Sequence, residues 1–182
     1  MQFNVAQLLK EPIGSERAYT LTGETLALEP GQTIPVGGYI RVTRTDKGVW
    51  VHATIDATVS GQCSRCLKSI TQAISFELDE EYLQKLDLLT GAPVHSDDSE
   101  PDTFKLDARH TLDLREALRQ YVITNTPMSP ICKPTCKGLC PQCGADLNNG
   151  SCACSEDRQD PRWAALRQML PSTRTTRKAK VR

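Results

Sequence analysis

Eight cysteines stand in four tight pairs: Cys63 with Cys66, Cys132 with Cys136, Cys140 with Cys143, and Cys152 with Cys154. A thiolate is a soft, strongly donating ligand, and two of them a few residues apart can grip one metal ion from a single turn. Four such half-sites sum to two tetrahedral sites of four sulfurs each. All-thiolate tetrahedra suit zinc or iron–sulfur chemistry. Four protein ligands leave no open position, so the expected role is structural, with one or two zinc ions as the first choice.

The sharpest local pattern is Leu139-Cys140-Pro141-Gln142-Cys143-Gly144. Two cysteines around a proline, with glycine just after the second, describe a tight turn whose backbone N–H groups point at the sulfurs and hold them as thiolates. Gly144 supplies the positive φ that such a turn requires. Asn148-Asn149-Gly150 then turns the chain back and delivers Cys152 and Cys154, completing a compact set. The second set, Cys63, Cys66, Cys132 and Cys136, joins pairs far apart in sequence. Structural zinc contributes on the order of 10–16 kcal/mol in small peptides. That outweighs a loop-closure cost that grows only slowly with length. Spacing alone leaves two other readings open. Cys132, Cys136, Cys140 and Cys143 could share one ion, leaving Cys63 and Cys66 over. Alternatively Cys152 and Cys154 are bystanders, since Cys-x-Cys is a less usual ligand step.

Composition bounds the partners. The 182 residues carry 22 basic and 22 acidic side chains, a formal net charge of zero, so no global field draws the chain to nucleic acid or membrane. No run of about 18 apolar residues exists to span a bilayer. The opening Met1 to Lys10 lacks the features of a signal peptide, so a cytoplasmic location with reduced thiols is expected. A disulfide framework is the weaker reading in that compartment.

The elements that must position the sulfurs follow from periodicity. Asn4 reads as the cap of a short helix through Lys10, and Ala18–Leu28 as one or two strands closed by Pro30-Gly31. Tyr39–Thr45 alternates, Asp46-Lys47-Gly48 turns with Gly48 at a position needing positive φ, and Val49–Val59 alternates again. In that last run Val51, Ala53, Ile55, Ala57 and Val59 share one face, which puts His52 on the polar one. Cys63-Ser64-Arg65-Cys66 turns the chain into another strand, with Ile70, Ile74, Phe76 and Leu78 of one parity. This Cys-x-x-Cys therefore links two strands, whereas a redox pair of the thioredoxin type opens a helix. Asp113 and Glu116 form a capping-box pattern, followed by a stripe at Leu114, Ala117, Leu118, Tyr121 and Val122. A last helix is expected from Asp160-Pro161, with Trp163, Leu166, Met169 and Leu170 on its apolar face.

The expected fold class is α+β. An antiparallel β-meander fills the N-terminal half; a helix, a zinc-ribbon-like cysteine segment and a terminal helix fill the C-terminal half. The organisation reads as a β-rich domain over 1–82, an acidic flexible loop over 83–106, the helix and metal-binding segment over 107–171, and a disordered basic tail over 172–182. No repeat, phosphate-binding glycine loop or nucleophile–base constellation is visible. His52, His95 and His110 are scattered, so neither catalysis nor a small-molecule substrate is expected. Arg65, Lys68, Lys133 and Lys137 flank the cysteine turns, where they meet phosphates or merely solvate the surface.

Five segments carry a resemblance to a known family. They are Asn4–Gly14, Cys63-Ser64-Arg65-Cys66-Leu67, Asp113-Leu114-Arg115-Glu116-Ala117-Leu118, Cys132–Gly144 with Leu147-Asn148, and Asp160-Pro161-Arg162-Trp163-Ala164-Ala165-Leu166. Together they resemble the YceD family, the bacterial large ribosomal RNA subunit accumulation proteins. The resemblance implies a non-enzymatic ribosome-biogenesis factor that supports accumulation or processing of 23S ribosomal RNA. Ribosomal RNA or a large-subunit ribosomal protein would be its partner. A thiol-redox or metal-sensing protein that uses the cysteine pairs is the alternative.

Overall fold

The computed structural model describes residues 1–29, 31–88, 90–94, 103–154 and 162. The expected terminal helix from Asp160-Pro161, the tail over 172–182, His95 and the acidic residues over 97–102 lie outside them. The chain forms two compact units, Met1–Cys136 and Lys137–Arg182.

The first unit runs in chain order through β1 (Gln2–Asn4), a 3-10 turn (Leu8–Lys10), β2 (Glu16–Glu29), β3 (Gln32–Arg44), β4 (Gly48–Gln62), β5 (Ser69–Leu83), β6 (Phe104–Lys105), β7 (Thr111–Asp113) and α1 (Arg115–Asn125). Strands β2 to β5 form an antiparallel meander. β6 adds to β5 in parallel, and β1 pairs antiparallel with β7 in a separate ribbon. The N-terminal half is thus mostly sheet, as the alternation requires, and α1 is the single α-helix among the described residues.

Parity places the core. Val51, Ala53, Ile55, Ala57 and Val59 of β4 are all buried, and Phe76, Leu78 and Tyr82 of β5 lie beside them. On β2 the two buried leucines, Leu21 and Leu26, are five residues apart, which alternation alone would send to opposite faces. A register shift between Leu21 and Glu24 restores both to the core, as a bulge does when it inserts one unpaired residue. Leu114, Ala117, Leu118 and Val122 carry the helix stripe into the same cluster, and α1 packs on β2 and β5.

Three local expectations change. The first segment is not a capped helix: Asn4 Oδ1 accepts the Ala6 N–H at 3.0 Å, and only the short turn over Leu8–Lys10 follows. The capping box does not form either. Leu114 occupies the N-cap without a side-chain bond, Asp113 Oδ1 accepts the Arg115 N–H at 3.0 Å, and Glu116 binds Arg119 and Gln120. Asp113 prefers its ion pair with Arg115, a bond to a charged partner. Gly48, finally, does not sit at positive φ. Its need is space: a Cβ there would lie 2.0 Å from the Tyr82 carbonyl oxygen and 3.0 Å from Leu83 Cα.

Candidate metal centres

The first cysteine turn is the loop of the β4–β5 hairpin. Pairing runs to Gln62 opposite Ser69, and the six residues between close on themselves. The Cys63 N–H donates to the Lys68 carbonyl at 2.9 Å, and the Leu67 N–H donates back to the Cys63 carbonyl at 2.9 Å. Leu67 takes φ +58° to make this closure. The second turn repeats the pattern. The Cys140 N–H donates to Ala145 O at 2.8 Å, the Gly144 N–H donates to Cys140 O at 2.9 Å, and Gly144 takes φ +73°. A bridge between Leu139 and Asp146 sets this turn on a small hairpin. The two cysteine turns are therefore one motif built twice, with Gly144 at the left-handed position in one and Leu67 in the other.

Beyond α1 the chain returns to the first turn. Pro130 O accepts both the N–H and the hydroxyl of Ser64 at 2.8 Å. The Cys132 N–H donates to Cys63 Sγ at 3.3 Å, and Arg65 Nη1 donates to Cys136 O at 2.9 Å. Arg65 thus pins the returning segment. The four sulfurs of Cys63, Cys66, Cys132 and Cys136 lie within 4.8 Å of one another, three of the residues buried and Cys132 exposed. In the second unit Cys140, Cys143, Cys152 and Cys154 form a like group within the same limit. The sulfurs group as 63/66/132/136 in the first unit and 140/143/152/154 in the second. Cys152 and Cys154, joined by an unusual step, stand with the Cys140 pair.

The spacing fits a tetrathiolate ion. Bonds of about 2.3 Å set the sulfurs of a tetrahedron about 3.8 Å apart. Cys66 and Cys132 stand at 3.7 Å, and Cys63 and Cys136 at 3.9 Å. All eight thiols are free of disulfides. Backbone donors favour the anion at one cysteine of each group. The Cys66 N–H, against burial, brings Cys63 down to about 6. The N–H groups of Cys143 and Gln142 bring Cys140 down to about 6. Two other sulfurs resist ionisation beside these. Burial and the neighbouring thiols push Cys132 up to about 12, and the Cys143 thiol, then burial, does the same for Cys154. Four thiolates this close are compatible only with a cation among them. Each group can therefore hold a metal ion.

Neither of the two described histidines, His52 and His110, belongs to a sulfur group. His52 Nδ1 meets Asp79 Oδ1 at 2.7 Å on the polar sheet face. His110 takes φ +56°, its Nδ1 buried without a hydrogen-bond partner. Sequence reasoning missed Leu67, although its place as the residue after a Cys-x-x-Cys, the place Gly144 holds, was a usable signal. The contacts of Ser64 and Arg65 to the returning segment left no sequence signal.

A β-meander whose hairpin tip carries one four-thiol group, followed by a small hairpin carrying another, defines a cysteine-knuckle protein with two candidate metal centres. This chain belongs to the YceD family: the family model described as large ribosomal RNA subunit accumulation protein YceD matches residues 51–170. An uncharacterized protein of Mycobacterium tuberculosis is 32% identical over 157 residues, covering 85% of this chain and 70% of that one. The chloroplastic YCED homolog 1 of Arabidopsis thaliana, a large ribosomal RNA subunit accumulation protein, is 25% identical over 72% of this chain and 47% of its own length. The uncharacterized protein YlbN of Bacillus subtilis is 27% identical over 64% of this chain and 66% of its own. No solved structure matches the chain. Among the described residues no helix is long and apolar enough to cross a membrane.

Proposed function

We propose that this chain is a non-enzymatic, zinc-binding ribosome-biogenesis factor of the cytoplasm. It supports accumulation or processing of 23S ribosomal RNA by binding that RNA or a large-subunit ribosomal protein. Membership of a family described by large ribosomal RNA accumulation carries the reading. The two sulfur groups supply its physical basis. The eight ligands would be Cys63, Cys66, Cys132 and Cys136 for one zinc, and Cys140, Cys143, Cys152 and Cys154 for the other. Four thiolates saturate zinc, so each ion would hold shape and offer no position to a substrate. The first ion would tie the β4–β5 loop to the segment beyond α1; the second would build the small unit around its hairpin in a zinc-ribbon-like manner.

Metal analysis of the purified chain tests the chemistry. Two equivalents of zinc are expected, and Cys63→Ser and Cys140→Ser should each remove about one if each belongs to a separate four-thiolate site. An unchanged count in Cys63→Ser rejects the long-range site. Red or brown protein would signify iron, since zinc thiolates are colourless. Crosslinking in cells tests the role: recovery of 23S ribosomal RNA or a large-subunit protein is expected, and background levels of both reject it.

Exposure of Cys132 and Cys143 favours one second reading, a thiol-redox or metal sensor entered at those sulfurs. Fast thiol titration of metal-loaded protein would support it, whereas protection relieved only by chelator supports the structural role.

A further inference from the structure

We infer that a cleft beside the β3–β4 turn is a binding site for a phosphate group of an RNA backbone. The cleft has a volume of about 420 Å³ and is walled by the end of the 3-10 turn, the β3–β4 turn and the loop after β5. Lys10 from the 3-10 turn, Arg44 from the end of β3 and Lys47 from the β3–β4 turn line it. None of the three belongs to an ion pair of the described residues. Two acids share the lining, Asp46 and Asp87. Asp87 Oδ1 accepts the N–H and the hydroxyl of Thr90, both at 2.8 Å, and the lining as a whole sets three cations against two carboxylates.

Arg44 makes the cleft more than a basic patch. Its Nε is buried and has no hydrogen-bond partner. A guanidinium N–H withdrawn from water without an acceptor is costly, and native folds leave few such groups unanswered. The backbone holds Arg44 in place, its N–H donating to Ser15 O and its carbonyl accepting the Gly14 N–H, each at 2.9 Å. An acceptor entering the cleft, met by a turn of the Arg44 side chain, would supply the missing partner. A guanidinium fork with two lysines matches the tetrahedral oxygens of phosphate. The choice of RNA as the bearer of that phosphate rests on the ribosomal RNA reading above. The site itself rests on Arg44 and the cleft.

The test uses the full, zinc-loaded chain labelled with nitrogen-15, and follows the Arg44 Nε–Hε resonance on adding orthophosphate or a single-stranded oligouridylate. Both ligands should shift it. In parallel, oligouridylate affinity is measured across a salt series for the parent, Arg44→Gln and Lys47→Gln. Each substitution should weaken binding by about tenfold, as loss of a charged hydrogen bond does. Each should also lower the salt slope by about 0.7, as loss of one phosphate contact on a single strand does. Arg44→Gln should melt no lower than the parent, because the free protein gives Nε no acceptor to lose. A melting point lowered by several degrees assigns the guanidinium a structural role and overturns the proposal. Variants that bind RNA with the parent's affinity and slope overturn the cleft and leave the ribosomal RNA reading intact. A parent that shifts with orthophosphate yet binds no RNA overturns the RNA assignment and leaves a site for free phosphate.

Discussion

At position 67 the usual ranking of glycine and alanine should invert. Leu67 closes the first cysteine turn at φ +58°, and its side chain is 58% exposed. A left-handed conformation costs an L residue about 1–2 kcal/mol. Glycine escapes that cost but orders a freer unfolded chain, a difference of roughly 0.4–1 kcal/mol in the other direction. Leu67→Gly and Leu67→Ala lose the same leucine contacts beyond Cβ, so comparing the two cancels them. What remains favours Leu67→Gly over Leu67→Ala by about 0.5–1 kcal/mol. In a chain of this size that is about 1–4 °C in melting temperature, read by circular dichroism on metal-loaded protein. Gly144 is the internal control. A Cβ there meets nothing within 4 Å, so Gly144→Ala adds conformational strain alone. Because Gly144 lies in the other compact unit, its effect is best read by chelator competition, where metal affinity should fall about fivefold for a cost near 1 kcal/mol. If Leu67→Ala melts as high as Leu67→Gly, Leu67 is not held left-handed, and the equivalence of the two cysteine turns is refuted.

Gly48→Ala should destabilise the first unit by about 2–3 kcal/mol, since backbone atoms of Tyr82 and Leu83 face the added methyl and β4 must part from β5; a denaturant midpoint unchanged from the parent rejects the close approach. Asp113 is held well below the usual carboxylate range, first by its bonds from the Arg115 side chain and against partial burial. Its contribution is therefore present above the unfolded value of about 4 and is lost as pH falls below it. Asp113→Asn should accordingly lower stability at neutral pH and flatten the acid limb of the stability–pH curve; a parent-like acid limb counts against the pair. Chelation of the first site should release the segment beyond α1, seen as faster amide exchange at Cys132 and Cys136 while the β4 core stays protected. Protection unchanged at those two amides would show that the hydrogen bonds to Ser64 and Arg65 suffice to hold it.

Much of the fold was legible because it repeats. Five apolar residues of one parity on β4 and the stripe from Leu114 to Val122 each mark a buried face, and burial of a whole face is what makes a period visible. The short elements carry no such period. β1, β6 and β7 span three, two and three residues, and they exist because neighbouring backbone offers ladder partners. The shift in β2 was equally hidden, since one inserted residue breaks the alternation on which the reading depends. For the candidate metal centres, residue type and spacing singled out all eight cysteines, yet they did not decide which pairs share an ion.

Four pairs of soft ligands, one hairpin with an apolar face and one amphipathic helix were written in the residue order, because each depends on neighbours close in sequence. Which sulfurs meet was decided only in three dimensions. The return of the chain beyond α1 to the β4–β5 loop brings Cys132 and Cys136 to Cys63 and Cys66 across more than sixty residues, held by bonds at Ser64 and Arg65. Contacts of that range obey the packing of whole elements, and no local pattern records them.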